Sequence, residues 1–316
     1  MRVVYAGTPE FSVPCLQALS TRASVDLVGV YTQPDRRAGR GKNFAASPVK
    51  NLASQLGLPV FQPQSLKDHK SQEPLRALDP DLMLVVAYGV ILPEAVLDIP
   101  RLGCLNIHAS LLPRWRGAAP VQRAIEQGDT RTGVTLMQIQ PQLDSGPMLA
   151  QRETRIGGDE TGGMLQHRLA RLGAEIVEDT LDAVERKQLV PELQDPLQAT
   201  YAAKLTKAES GLDWRLDARY LERKIRAFNP WPMTTTGISG MTLRIHRASG
   251  GPREDHARFG SILRADKKGI LVQTGCGTLN LEILQKPGGR PLAAGDFLNG
   301  LSLRPGMVFE SPACRQ

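Results

Sequence analysis

Cysteine is scarce in this 316-residue chain: Cys15, Cys104, Cys276 and Cys314 stand far apart, with no Cys-x-x-Cys pair and no histidine at metal-ligand spacing. That spacing argues against a zinc motif and against a disulfide framework, so reduced thiols and no metal are expected. Long apolar runs are missing too. No stretch approaches the roughly 20 residues of a membrane span, and the opening Met1-Arg2-Val3-Val4-Tyr5-Ala6-Gly7 holds too short an apolar stretch for a secretory signal. The expected compartment is therefore the cytoplasm, with no membrane partner. The first turn, Gly7-Thr8-Pro9-Glu10-Phe11, lacks the second and third glycines of the dinucleotide fingerprint, which argues against a dinucleotide-dependent oxidoreductase. There is no internal repeat and no low-complexity tract.

What remains is the composition of an ordinary folded enzyme, 41% hydrophobic and 22% charged. The length exceeds what one hydrophobic core usually serves, so two domains are expected. Charge separates them. Residues 1–204 hold 22 Lys and Arg against 22 Asp and Glu, and residues 205–316 hold 17 against 10, so the net charge of +7 lies in the last third. Clustered Lys and Arg attract phosphates and gain from counterion release, which points to a polyanionic partner for that part; a basic surface that is merely solvated is the plainer alternative.

In the first half, short β-branched runs alternate with helical patterns, the signature of an α/β fold with a largely parallel sheet. Strands are expected over residues 2–7, 25–33, 59–62, 81–89, 104–108 and 133–140, with a return strand over 148–156 and a long amphipathic helix over 161–189. Thr8-Pro9 and Ser47-Pro48 each offer a hydroxyl at an N-cap and a proline in the first turn. Residues 190–206, irregular and rich in Pro and Gln, read as a linker between a domain over 1–189 and one over 207–316. In the second domain a helix over 218–228 precedes brief strands at 241–246, 260–264, 269–274 and 278–284, the spacing of a small β-barrel or sandwich.

The most informative segment is Leu105-Asn106-Ile107-His108-Ala109-Ser110-Leu111-Leu112-Pro113. On a strand, side chains two apart share a face, so Asn106 and His108 point together while Ile107 packs behind them. The carboxyl ends of strands in open α/β sheets are where ligands bind. A strand-end histidine by itself is ordinarily structural. A second element lies further on, Gly133-Val134-Thr135 and then Leu143-Asp144-Ser145-Gly146-Pro147, with Asp144 at the tip between two strands; an isolated turn carboxylate of this kind ordinarily bonds its own backbone.

Taken together, Asn-x-His followed by Ser-Leu-Leu-Pro, then Gly-Val-Thr and Leu-Asp-x-Gly, resembles the formyl-tetrahydrofolate transferases and hydrolases over roughly residues 1–190. The resemblance implies a Rossmann-like sheet, a C-terminal barrel of OB type, and a catalytic trio of Asn106, His108 and Asp144. Attack of an amine on a formyl amide makes a tetrahedral centre whose oxygen becomes negative, and an amide N–H and a ring N–H answer that need. A carboxylate beside the ring favours its charged form and can accept the amine's proton. Direct transfer is implied, without metal or covalent enzyme intermediate. The family's folate slot corresponds to Ser110, Leu111, Leu112 and Pro113, with Tyr88, Gly89, Leu92 and Pro93 as further contacts for 10-formyltetrahydrofolate. Ala109 departs from the glycine that many relatives carry, a change of one methyl.

Several amines serve as acceptors in this family. The loop Gln33-Pro34-Asp35-Arg36-Arg37-Ala38-Gly39-Arg40-Gly41-Lys42-Asn43 is Gly-rich and basic, and it resembles the insertion with which the members acting on charged tRNA grip its acceptor end. Arg36, Arg37, Arg40 and Lys42 can follow a phosphate backbone and stack on an unpaired base, ordering as they bind. Lys207 is the further tRNA contact implied, and Asn229-Pro230-Trp231-Pro232 is expected to be packing. The acceptor so implied is the amino group of methionyl initiator tRNA, with no obligatory protein partner. Small-amine acceptors or plain hydrolysis of the formyl folate do not require the basic loop. A non-catalytic nucleic-acid-binding protein accounts for the charge but not for Asn106, His108 and Asp144 together.

Overall fold

The computed structural model describes residues 1–38, 43–252 and 257–311. The chain forms two compact units: Met1–Pro120 with Arg131–Arg155 and Gln166–Ala202, and Val121–Thr130 with Ile156–Leu165 and Ala203–Gln316. The chain opens on β1 (Arg2–Gly7), in which Val3, Val4, Tyr5 and Ala6 are all fully buried, as a central parallel strand covered on both faces requires. A 3-10 turn (Glu10–Ser12) and α1 (Val13–Ser20) lead to β2 (Asp26–Tyr31) and to a short hairpin of β3 (Arg36–Ala38) and β4 (Asn43–Ala45). Next come α2 (Pro48–Gln55), β5 (Val60–Phe61), α3 (His69–Ala77), β6 (Leu82–Val86), α4 (Glu94–Leu97), β7 (Cys104–His108) and the two-residue β8 (Arg116–Gly117). Then follow α5 (Pro120–Gln127), β9 (Arg131–Gln138), β10 (Met148–Arg155), α6 (Gly162–Glu185) and β11 (Tyr201–Ala202).

Among the described residues seven strands form one sheet in the order β10-β9-β7-β6-β1-β2-β5. β1, β2, β5, β6 and β7 pair in parallel, while β9 runs antiparallel to β7 and β10 antiparallel to β9. The order steps outward from β1 in both directions, so the strand sequence reverses between β1 and β6, where open α/β sheets bind ligands. The loops there are tied together: the carbonyl of Tyr88 accepts from Thr8 Oγ1 at 2.8 Å and from Gln33 Nε2 at 3.0 Å. Val4, Ala6, Tyr31, Met83, Val85 and Cys104 pack on one face of the sheet with Leu66, Leu75 and Val96. On the other face α6 approaches so closely at Gly173 that an added Cβ would lie 3.0 Å from Ile107.

Local chemistry explains where the elements begin and stop. Ser47 caps α2 as its sequence predicts, its Oγ accepting from Lys50 N at 3.0 Å. Thr8 does not cap a helix: Pro9 occupies the cap position of the 3-10 turn, and the Thr8 hydroxyl goes to Tyr88 instead. The strand expected over 81–89 ends at Val86, because Ala87 (φ 48°) and Gly89 (φ 77°) enter the left-handed region and turn the chain out of the extended conformation.

The second unit holds α7 (Ala218–Ala227), β12 (Thr234–Ile238), β13 (Met241–Gly250), β14 (Ile262–Asp266), β15 (Gly269–Gln273), β16 (Thr278–Gln285), β17 (Leu292–Ala293) and α8 (Ala294–Asn299). Its antiparallel sheet runs β12-β13-β16-β15-β14, with β17 added to β16. The edges meet. Residues 306–310 bond to the start of β14 through Ile262 N to Met307 O (2.8 Å) and Phe309 N to Gly260 O (2.8 Å), and to β12 through Glu310 N to Gly237 O (2.8 Å). Closure resolves the expected barrel-or-sandwich alternative in favour of a barrel. Fully buried Trp214 stacks on Phe309 at 5.6 Å and donates its indole N–H to Thr236 Oγ1 at 3.0 Å. β12 was not expected. Its Thr-Thr-Thr-Gly-Ile run lacks an apolar period, although the following Ser239-Gly240, both at positive φ, is a two-residue hairpin signal. Among the described residues no helix is long and apolar enough to cross a membrane.

Candidate active site

β7 sits between β6 and β9, with Asn106 opposite Val85 on one side and Met137 on the other, and His108 opposite Thr135. Alternation sends Asn106 and His108 to the same face. His108 is 6% exposed, and its Nε2 lies 2.9 Å from the carbonyl of Trp115. A carbonyl only accepts, so Nε2 carries the proton of the neutral ring and Nδ1 is the nitrogen left open. Nδ1 faces Asp144 Oδ2 at 3.8 Å, beyond a direct hydrogen bond but within reach of charge. The carboxamide of half-buried Asn106 has no hydrogen-bond partner among the described residues.

Asp144 occupies the turn between β9 and β10 at φ 47°, a left-handed conformation that costs an L-residue about 1–2 kcal/mol. Tertiary bonds hold it there. Gly117 N donates to Asp144 Oδ2 at 2.9 Å, and Gln194 Nε2 donates to the carbonyls of Asp144 (3.0 Å) and Gly146 (2.7 Å). Gly146 admits no side chain, because a Cβ would come within 1.9 Å of Gln138 O.

The loop joining β7 to β8 is fastened by two polar side chains of the neighbouring strands. Thr135 Oγ1 donates to Ser110 O (2.7 Å) and accepts from Leu112 N (3.1 Å), while Gln151 Nε2 donates to Leu112 O (2.8 Å). The Leu112-Pro113 peptide is cis. Ser110 is buried with its hydroxyl on Arg114 O at 2.6 Å, and Leu112 is buried against Met137 and Met148, so both side chains are engaged within the protein. Leu111 and Pro113 are half-buried. In the loop after β6, Gly89 is exposed and Leu92 and Pro93 half-buried, whereas the Tyr88 ring is core, its phenol pushed up by burial.

Of the basic positions, Arg36 is exposed at the start of β3, and Arg37 pairs its backbone with Phe44. Arg40 and Lys42 lie outside the described residues. The base of this loop is fixed by Asp35, which takes Lys50 Nζ at 2.6 Å and Gln62 Nε2 at 2.8 Å; those bonds hold its carboxyl below the usual value. Lys207 is exposed on a 3-10 turn (Lys207–Ser210) that a Thr206 and Glu209 capping box begins. Lys224, a basic residue of the phosphate-attracting third, is buried and donates to Gly211 O at 3.1 Å. Sequence reasoning did not single out Gln194, Gln151 or Arg116, and it marked Thr135 only as part of the Gly-Val-Thr motif, without a role of its own. Arg116 is 4% exposed and gives its Nε–H to Gln194 Oε1 at 2.9 Å.

Family models match almost the whole chain: Formyl transferase over residues 1–181 and Formyl transferase, C-terminal domain, over 204–302. The chain belongs to the formyl transferase family. Among relatives, a methionyl-tRNA formyltransferase of Stutzerimonas stutzeri is 54% identical over 311 residues, covering 98% of each chain. One from Methylococcus capsulatus is 54% identical over 303 residues, covering 96% of this chain and 98% of its own. Two solved structures share the fold at low identity. HypX from Aquifex aeolicus in complex with tetrahydrofolic acid has a TM-score of 0.60 at 18% identity, over 94% of this chain and 47% of its own. The N-formyltransferase from Helicobacter canadensis, in complex with folinic acid and dTDP-3-aminofucose, has a TM-score of 0.65 at 14% identity, over 88% of this chain and 98% of its own. The chain is thus a formyltransferase with a mostly parallel catalytic sheet followed by an antiparallel C-terminal unit.

Proposed function

We propose that this formyltransferase moves the formyl group of 10-formyltetrahydrofolate to the α-amino group of methionyl initiator tRNA, as a cytoplasmic step of translation initiation. The observation that carries the chemistry is the 3.8 Å gap between His108 Nδ1 and Asp144 Oδ2, on the face that β7 gives to Asn106. Near-full-length identity of 54% to methionyl-tRNA formyltransferases supports the acceptor.

In this reading the amine nitrogen bonds to the formyl carbon and the carbonyl electron pair moves onto oxygen. Asn106 Nδ2 donates to that oxygen, and with no partner among the described residues its N–H groups are available for the purpose. His108 also donates, from Nδ1, and because Nε2–H is already on Trp115 O this requires the doubly protonated ring. Asp144 stabilises that cation and accepts the proton shed by the attacking amine, directly or through water. The tetrahedral centre then releases the folate nitrogen, which leaves with a proton returned from the cluster. The folate ring lies against the backbone of residues 110–113 and of the loop after β6, with Tyr88, Gly89, Leu92 and Pro93 at its border.

The tRNA end is gripped by Arg36, Arg37, Arg40 and Lys42, with Lys207 as a further contact, and exposed Arg219, Arg244, Lys267 and Lys268 add sequence-independent attraction from the domain over 207–316. The test mixes purified protein with 10-formyltetrahydrofolate, methionyl-tRNA and a panel of small amines. Formylation confined to tRNA is expected; formylation of an amino sugar or another small amine in preference to tRNA sinks the acceptor. Arg40→Ala is expected to weaken use of tRNA while sparing slow hydrolysis of the formyl folate, and equal loss of both contradicts the loop's role.

A further inference from the structure

Residues 190–206 read in sequence as a plain connection, yet Gln194 within them is only 8% exposed, and each polar atom of its side chain is engaged in the first unit. Its Nε2 donates to Asp144 O at 3.0 Å and to Gly146 O at 2.7 Å, and its Oε1 accepts from Arg116 Nε at 2.9 Å. The amide cannot be turned over, since that would set its N–H groups against a guanidinium N–H and its oxygen against two carbonyls. The backbone around it is fixed as well. Glu192 and Met148 exchange N–H and carbonyl at 2.8 Å in both directions, Thr200 Oγ1 accepts from Trp115 N at 2.9 Å, and Tyr201 and Ala202 pair as β11 with Arg116 and Gly117.

The turn that Gln194 holds carries the site's carboxylate. At φ 47° the backbone of Asp144 is not in a conformation it would choose alone, so its direction depends on outside anchors. There are two, one at each end of the residue: Gly117 N on the carboxylate at 2.9 Å and Gln194 on the main-chain carbonyl. Both anchors trace to the same pair of short strands, because Gly117 follows Arg116, which orients Gln194, and Arg116 and Gly117 are braced by residues 200–202.

We infer that Gln194 is a positioning residue for formyl transfer, which acts by fixing the Asp144 turn so that the carboxylate stays 3.8 Å from His108 Nδ1. The inference rests on the reading of Asp144 as proton acceptor. Removing the two N–H donors leaves substrate-binding surfaces intact but lets the carboxylate drift, and a misplacement of about 1 Å can cost on the order of 100-fold in rate.

Steady-state and single-turnover formylation of methionyl-tRNA tests this with Gln194→Met, Gln194→Glu, Asp144→Asn and the double variants. Gln194→Met is expected to lower kcat about 10- to 100-fold with KM for both substrates within about two-fold. Gln194→Glu keeps the length and the acceptor for Arg116 but has no N–H to give, and it should fall likewise; it carries the test if Gln194→Met does not fold. In the Asp144→Asn background neither change should slow the reaction further. Full additivity with Asp144→Asn, a KM effect at unchanged kcat, or Gln194→Glu at the parental rate each overturns the inference alone. Asp144→Asn at the parental rate overturns the catalytic reading of Asp144 and this inference with it.

Discussion

Each of the two units buries charged groups, and they differ in how completely those groups are matched. In the second unit Arg123 gives hydrogen bonds to Glu126 (2.7 Å), Glu209 (2.6 Å) and the carbonyl of Ala203 (3.3 Å). The other oxygen of Glu126 takes the Tyr220 hydroxyl at 2.8 Å, and the other oxygen of Glu209 takes Thr206 N at 2.8 Å. Every charge of that cluster meets its opposite at hydrogen-bond distance; buried Lys224, outside it, donates to the carbonyl of Gly211. Among the described residues of the first unit, the Asn106 side chain has no partner, His108 Nδ1 stops 3.8 Å short of Asp144, and the side chain of buried Arg116 has one hydrogen bond, to a neutral amide. A saturated cluster has no capacity left for a substrate, and serves stability. On the proposed reading, the unsaturated one holds its donors in reserve for charge that develops during the reaction.

That contrast can be broken by substitution. Asn106→Ala removes a side chain that bonds to none of the described residues, so kcat should fall about 10²- to 10³-fold, some 3–4 kcal/mol of barrier, with stability within about 0.5 kcal/mol. His108→Ala should likewise abolish transfer with tRNA affinity nearly unchanged; filter binding alongside urea melts reads both. Unfolding of either variant at low urea would place these side chains among the structural ones. Glu126→Ala should do the opposite. It leaves the Tyr220 hydroxyl and one N–H of Arg123 without their acceptor, although Glu209 stays on Arg123; buried donors left unsatisfied cost about 1–3 kcal/mol, while turnover per folded molecule stays at the parental value. A turnover loss without a urea-midpoint shift reverses the assignment.

A smaller effect is expected from acid. Burial works against ionising Glu209, but Arg123 and Thr206 outweigh it and hold the carboxyl below its usual value. A carboxyl held low stabilises fully above its unfolded value, about 4.3, and that contribution disappears as pH falls through the lower folded value. Between about pH 5 and pH 3 the melting temperature of the parent should therefore drop more steeply than that of Glu209→Gln. Parallel curves at matched ionic strength would remove Glu209 from the stabilising set.

Much of the site was legible because it is written locally. Strand alternation alone puts Asn106 and His108 on one face of Cys104–His108, and turn residues alone put Asp144 between two strands. The same holds for the Ser47 cap and for the second-unit strands that carry an apolar period. What sequence could not give depends on distant partners. Gln194 contacts a turn 50 residues away, and nothing in a Pro- and Gln-rich stretch marks which glutamine will be buried. Thr8 carries a good capping signal, but a carbonyl 80 residues on takes its hydroxyl. Lys224 counts toward the basic third by composition, yet it lies inside because α7 turns that face to the core, where burial lowers its tendency to hold a proton.

The way residues 306–310 stitch β14 to β12 carries a consequence for synthesis. Until the ribosome has released that stretch, β14 and the Gly237 end of β12 lack their pairing partner along one border, and each is able to pair with another chain. A version ending at residue 305 should accordingly sediment as aggregates where the parent stays dispersed. Residues 306–310 thus guard the solubility of a unit whose core begins almost 100 residues earlier, at Leu212.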